Sequence, residues 1–127
     1  MSLSLQFHDS EVRQAQTAGA DLSVAFSAAS VRSSDRQNGI DGYVLNLEML
    51  LTQATWTGAR ADGVGRLSTG ALSIDGVPLS PVPLPLARAG KVALTLTFAN
   101  GTLLSIAARS VLIRFSGEPR WVESYAC

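Results

Sequence analysis

A chain of 127 residues with ten basic and ten acidic side chains carries no formal net charge, which argues against a nucleic-acid binder that works by neutralising phosphates. The length suits a single domain over 1–127 with room for a real core. One cysteine, Cys127, and one histidine, His8, exclude an intramolecular disulfide and a four-thiolate zinc site. No run reaches the roughly 18 apolar residues of a membrane helix. The opening Met-Ser-Leu-Ser-Leu-Gln-Phe-His-Asp-Ser is no basic-then-apolar leader. An outer-membrane barrel without an export signal is a poor reading, so no membrane partner is expected and the expected compartment is the cytoplasm. Nine of the ten basic residues are Arg, scattered from Arg13 to Arg120 in a way that suits base composition better than an anion-gripping cluster.

In chain order, Leu3-Ser4-Leu5-Gln6-Phe7 alternates as a first strand. Glu11–Thr17 reads as an edge strand or as a short helix capped by Asp9 or Ser10. After a turn at Ala18–Asp21, Leu22, Val24 and Phe26 face inward from the next strand, and a hairpin is expected to join the two segments. Arg32–Gly42 is polar and rich in breakers, a long loop of the kind that carries binding residues. Tyr43, Leu45, Leu47 and Met49 then share one strand face until Leu50-Leu51 spoils the parity, which places a bulge or bend near Leu50. Thr57–Gly65 is a second polar connection.

Leu67–Ile74 leads into Asp75-Gly76, where a two-residue type I′ turn sets Ile74 beside Val77 and Leu72 beside Leu79. Pro78, Pro81, Pro83 and Pro85 alternate with Leu79, Val82, Leu84 and Leu86. Prolines lack the N–H that a central ladder needs, so this segment is an edge or a polyproline-like crossover laid on the core. Lys91–Phe98 alternates up to Ala99-Asn100-Gly101. A two-residue loop there mixes the faces. A three-residue loop with Gly101 as a G1 bulge pairs Leu96 with Leu104, Leu94 with Ile106 and Val92 with Ala108. Leu104, Ile106 and Ala108 differ in parity from Val111, Ile113 and Phe115, which predicts a bulge at Arg109-Ser110. Ser116–Pro119 turns the chain into a last strand over Arg120–Tyr125. The sum is an all-β domain: a small antiparallel barrel or sandwich of about seven to nine hairpin-connected strands, with a meandering barrel favoured.

His8-Asp9-Ser10 holds the three residue types of a serine triad. Neighbours in a strand point to opposite faces, so His8 and Asp9 are not expected to converge, and a triad is assembled in space rather than in sequence. His8 can still pair with Ser10, or with Glu123 if the terminal strands adjoin. The Asp41-Gly42, Asp62-Gly63 and Asp75-Gly76 pairs are turn chemistry, and no calcium-loop or phosphate-loop motif is present. Glu118 and Glu123 have only proximity to suggest a glycosidase-type pair. No catalytic residue, metal site or cofactor is therefore assigned. If Trp121, Glu123 and Tyr125 share a face of the last strand, they form an aromatic patch. With His8 they are the candidate ligand-binding residues. The competing structural role is a barrel core closed by aromatic rings.

Phe7-His8-Asp9-Ser10-Glu11, Val82-Pro83-Leu84-Pro85-Leu86 and Trp121-Val122-Glu123-Ser124-Tyr125 together resemble small bacterial proteins of unknown function that share an all-β fold. The resemblance implies a fold and no activity. The functional expectation is a non-catalytic interaction or assembly module, a homo-oligomer formed through strand edges at Asp75-Gly76 and the prolines after it. The alternative is a small-ligand-binding barrel that uses the Arg32–Gly42 loop and the terminal aromatics. An enzyme stands third.

Overall fold

Alternation at period two carries nearly the whole chain into strands. The computed structural model describes residues 3–33, 40–118 and 120–123. Eleven strands follow in order: β1 (Leu3–Ala18), β2 (Asp21–Ser33), β3 (Ile40–Val44), β4 (Leu47–Thr52), β5 (Thr55–Thr57), β6 (Gly65–Ile74), β7 (Val77–Pro78), β8 (Val82–Leu84), β9 (Leu86–Phe98), β10 (Leu103–Phe115) and β11 (Trp121–Glu123). The short strands β5, β7 and β8, and the division of the Tyr43–Met49 segment between β3 and β4, raise the count above the expected one. Among the described residues the only helical piece is a 3₁₀ turn at Arg60–Asp62.

Six strands close into an antiparallel barrel in the order β1-β2-β4-β10-β9-β6, with β6 returning to β1. The β9–β10 hairpin has the expected register, Leu96 opposite Leu104, Leu94 opposite Ile106 and Val92 opposite Ala108. Its turn is closed by Phe98 N–H donating to Thr102 O at 2.8 Å, with Gly101 at φ +93°. The predicted irregularity appears between Ala108 and Ser110. At the other predicted turn Asp75 and Gly76 both have positive φ, Ile74 pairs with Val77, and Leu79 N–H donates to Leu72 O at 2.9 Å. The prolines form the expected crossover: Val82, Leu84 and Leu86 are buried, while Pro81, Pro83 and Pro85 stay outside. Between Leu79 and Pro85 only β8 joins a ladder, along Leu3–Leu5 of β1.

Two expectations need correction. The barrel is not a simple meander, because β4 pairs with β10 instead of β6. After Gln53, at φ +46°, β5 continues along β10, and residues 57–65 then cross one end of the barrel to reach β6. Arg60 ties this crossing down by donating through Nη1 to Ala15 O at 2.7 Å. The parity change in the Tyr43–Leu51 region falls at Leu45-Asn46, not near Leu50. Gly42 and Val44 are buried before it, and Leu47, Met49 and Leu51 after it.

That parity change is one point on a line of irregularities crossing four neighbouring strands. β1 bulges at Phe7–Ser10, β2 changes its buried parity at Ser27-Ala28, β3 passes into β4 at Leu45-Asn46, and β10 gives way to β11 over residues 116–120. On one side of the line lies the barrel. On the other, β1 and β2 run on between β8 and the β3–β11 pair. The buried side chains of both parts belong to one continuous core.

Candidate functional site

The largest break in any ladder lies in β1. Gln6 pairs with Ser30 and Glu11 with Ala28, so Phe7, His8, Asp9 and Ser10 stand where β2 has only Ala29. Asp9 takes φ +68°, a left-handed conformation that Asp tolerates better than most residues. Ser10 turns inward and is fully buried. Its hydroxyl donates to Gln6 O at 2.7 Å and accepts from Ser30 N–H at 2.8 Å, supplying the hydrogen bonds that the broken ladder lacks.

The same bulge changes what His8 and Asp9 can do. In an unbroken strand they point apart. Here His8 Nε2 lies 3.3 Å from Asp9 Oδ2, and His8 Nδ1 lies 3.3 Å from Ser68 O of β6. Arg66 reaches across from β6 and donates to Asp9 Oδ1 through Nε at 3.1 Å and also through Nη2. The hydrogen bond from Arg66 holds the Asp9 carboxyl below its usual value, and Asp9 raises the Arg66 guanidinium in turn. The convergence of His8 with Asp9 thus runs against the alternation rule, but it makes no triad. Ser10 is buried beneath the bulge, its proton committed to Gln6 O, while His8 is exposed.

Beyond this clasp β1 and β6 part company. Their ladder holds only Glu11 with Arg66 and Val12 with Gly65. Towards the start of β1 the strands splay around an open groove of about 640 Å³, bounded by residues 4–8 of β1, 69–72 of β6 and 78–82 of the crossover. Leu5, Phe7, Leu72 and Val82 form a nearly dry floor, and Ala71, Leu79 and Pro81 the apolar walls. Phe7 lies flat against Gly70, where an added Cβ would stand 2.7 Å from the ring. Ser4, Gln6, His8 and Arg32 line the groove with polar groups, and among the described residues no carboxylate lines it.

Of the residues singled out in the sequence, His8 lies at this groove, as does Arg32 from the start of the anticipated binding loop. Residues 34–39 of that loop lie outside the described residues, as does Tyr125. Trp121 and Glu123 belong to β11, whose backbone pairs with Val44 and Gly42 of β3. β3 and β2 both intervene between β11 and β1. The terminal strands do not adjoin, and at about 4.8 Å per strand spacing the Glu123 backbone stands roughly three spacings from β1. His8 and Glu123 thus stand on strands that are not neighbours, and the Glu123 side chain lies outside what the structure describes.

Gly70 and Asn46 are structural residues that the sequence did not announce, and Ser10 stood out there only as a cap or a triad member. Asn46 sits where β3 gives way to β4 and donates through Nδ2 to Ser116 O at 2.9 Å and Glu118 O at 2.7 Å. Its Oδ1 accepts from Arg120 N–H at 2.9 Å. Alternation in the sequence puts the parity change near Leu50, so it gave no signal for Asn46. Among the described residues no group of three or more His, Cys, Asp or Glu side chains could hold a metal ion. No helix among them is long and apolar enough to cross a membrane. Comparison with family models, with curated proteins and with solved structures gives no match for this chain.

Proposed function

We propose that this protein is a non-catalytic binding module whose site is the β1–β6 groove, and that it takes a small amphipathic molecule. One observation carries the reading: two strands that must pair to close the barrel are held apart around an apolar-walled groove of about 640 Å³, within the range of small-molecule sites. Phe7, Ala71 and Leu79 would contact the apolar body of the ligand, and His8 and Arg32 favour an anionic head.

Oligomerisation through strand edges is less well supported. β6 pairs with β1 only at Gly65 and Arg66 and with β7 only at Ser73 and Ile74, so what stays open on that side is the groove itself, and β8 is blunted by the prolines around it. β11, at the other end of the sheet, is the further edge such an oligomer could use.

The test is a fluorescence titration with 8-anilinonaphthalene-1-sulfonate, an aromatic anion of the proposed class, on the folded protein and on Ala71→Trp. Ala71 is exposed on the groove wall, so the substitution fills the site without touching the core. Saturable binding that the variant loses is the expected result. Undiminished binding by the variant, or none by the parent protein, overturns the proposal.

A further inference from the structure

A second concavity, of about 250 Å³, lies away from the groove, on the line of irregularities between β2, β4 and the residues Ser116 and Arg120. Arg13 of β1 and Arg120 both line it, together with Ala25, Asn46, Glu48 and Ser116. In a chain with as many acidic as basic residues, these guanidiniums stand out. Among the described residues neither Arg13 nor Arg120 makes a side-chain hydrogen bond or ion pair.

Among the described residues one carboxylate, Glu48, lines the concavity, and it is already engaged. Glu48 sits opposite Arg114 across the β4–β10 ladder and accepts from Arg114 Nε at 2.7 Å. On its other side Glu48 pairs with Ala25, whose small side chain leaves the floor open. The wall is equally fixed: Asn46 clamps the turn through three hydrogen bonds, with Ser116 O, Glu118 O and Arg120 N–H. That clamp positions the backbones of Ser116 and Arg120 at the rim.

We propose that this concavity binds a small tetrahedral oxyanion, a phosphate or sulfate group that is free or carried on a larger molecule. Each guanidinium presents a planar fork of donors suited to two oxygens of such a group, and the Ser116 hydroxyl can donate to a third. The Arg114–Glu48 ion pair keeps Glu48 from folding over onto Arg13 or Arg120. The proposal is independent of the groove, since the two cavities share no lining residue.

The test uses amide NMR on the folded protein, titrated with inorganic phosphate and, at matched ionic strength, with sodium chloride. Saturable shifts at Ala25, Asn46 and Ser116 with phosphate alone are expected. The double variant Arg13→Gln, Arg120→Gln should weaken them about tenfold or more, the scale of a lost charge-assisted hydrogen bond. Both arginines are exposed, so the variant should keep the spectrum of the folded barrel elsewhere. Equal shifts with chloride, or an unchanged phosphate curve in the double variant, overturn the proposal. A phenyl phosphate titration then separates a carried group from a free ion: tighter binding than phosphate means that the rest of the molecule also makes contacts.

Discussion

Two long hairpins build most of this barrel, and they behave differently. In β9–β10 the ladder runs from Leu86 with Ile113 to Thr97 with Leu103 and changes register at one place. In β1–β2 it changes register at three successive places between Gln6 and Gln14. The regular hairpin holds its register with alternating side chains and an Asn-Gly turn. The irregular one depends on a buried hydroxyl at Ser10 and on the Asp9–Arg66 clasp, and the groove opens beside it. A polar group inside a broken ladder has to be satisfied locally, so the break demands specific side chains where the regular hairpin demands only apolar ones.

The contrast can be broken from either side. Leu94→Ala, in the fully buried centre of β9, should have the largest effect, a loss of about 2–5 kcal/mol from transfer and cavity terms, measured by urea denaturation. Gly70→Val should come next. It drives a branched side chain into Phe7, and overpacking of this kind costs about 1–3 kcal/mol. It should also push β6 further from β1, seen as faster amide exchange at Thr69 and Ala71 than at Leu94.

Ser10→Ala should cost about 1–3 kcal/mol, because Ser30 N–H is left buried without its acceptor. Its mark should be local: accelerated exchange at Ser30 with little change in β9–β10. The smallest effect belongs to Arg66→Gln. Asp9 is held below its usual value by Arg66, so the stabilisation from this pair is present at neutral pH and is lost as pH falls through the lowered value. Removing Arg66 should move the Asp9 titration back up, read from its carboxyl carbon by NMR, with little change in stability at neutral pH.

The same contrast explains what the sequence made legible. The hairpin registers at Asn100-Gly101 and Asp75-Gly76, the proline crossover and the Arg109-Ser110 bulge all follow from local parity and turn chemistry, which a single sequence displays. The fusion of Leu3–Phe7 and Glu11–Thr17 into one strand does not. It rests on Ser10 satisfying Ser30, twenty residues away, and on Arg66 reaching Asp9 from another strand. The alternation rule that separates His8 from Asp9 fails for the same reason: a bulge suspends alternation, and nothing local announced one there. Strand order was equally hidden. The pairing of β4 with β10 depends on where the 57–65 crossing leads, so the distance from His8 to Glu123 could not be read from the chain.

The most direct test of the binding-module account is an amide NMR titration of the protein with octanoate, followed residue by residue. The account predicts saturable shifts concentrated at Gln6–His8, Thr69–Leu72 and Leu79, around the groove. Shifts confined to β3 and β11, or none at all, would contradict it.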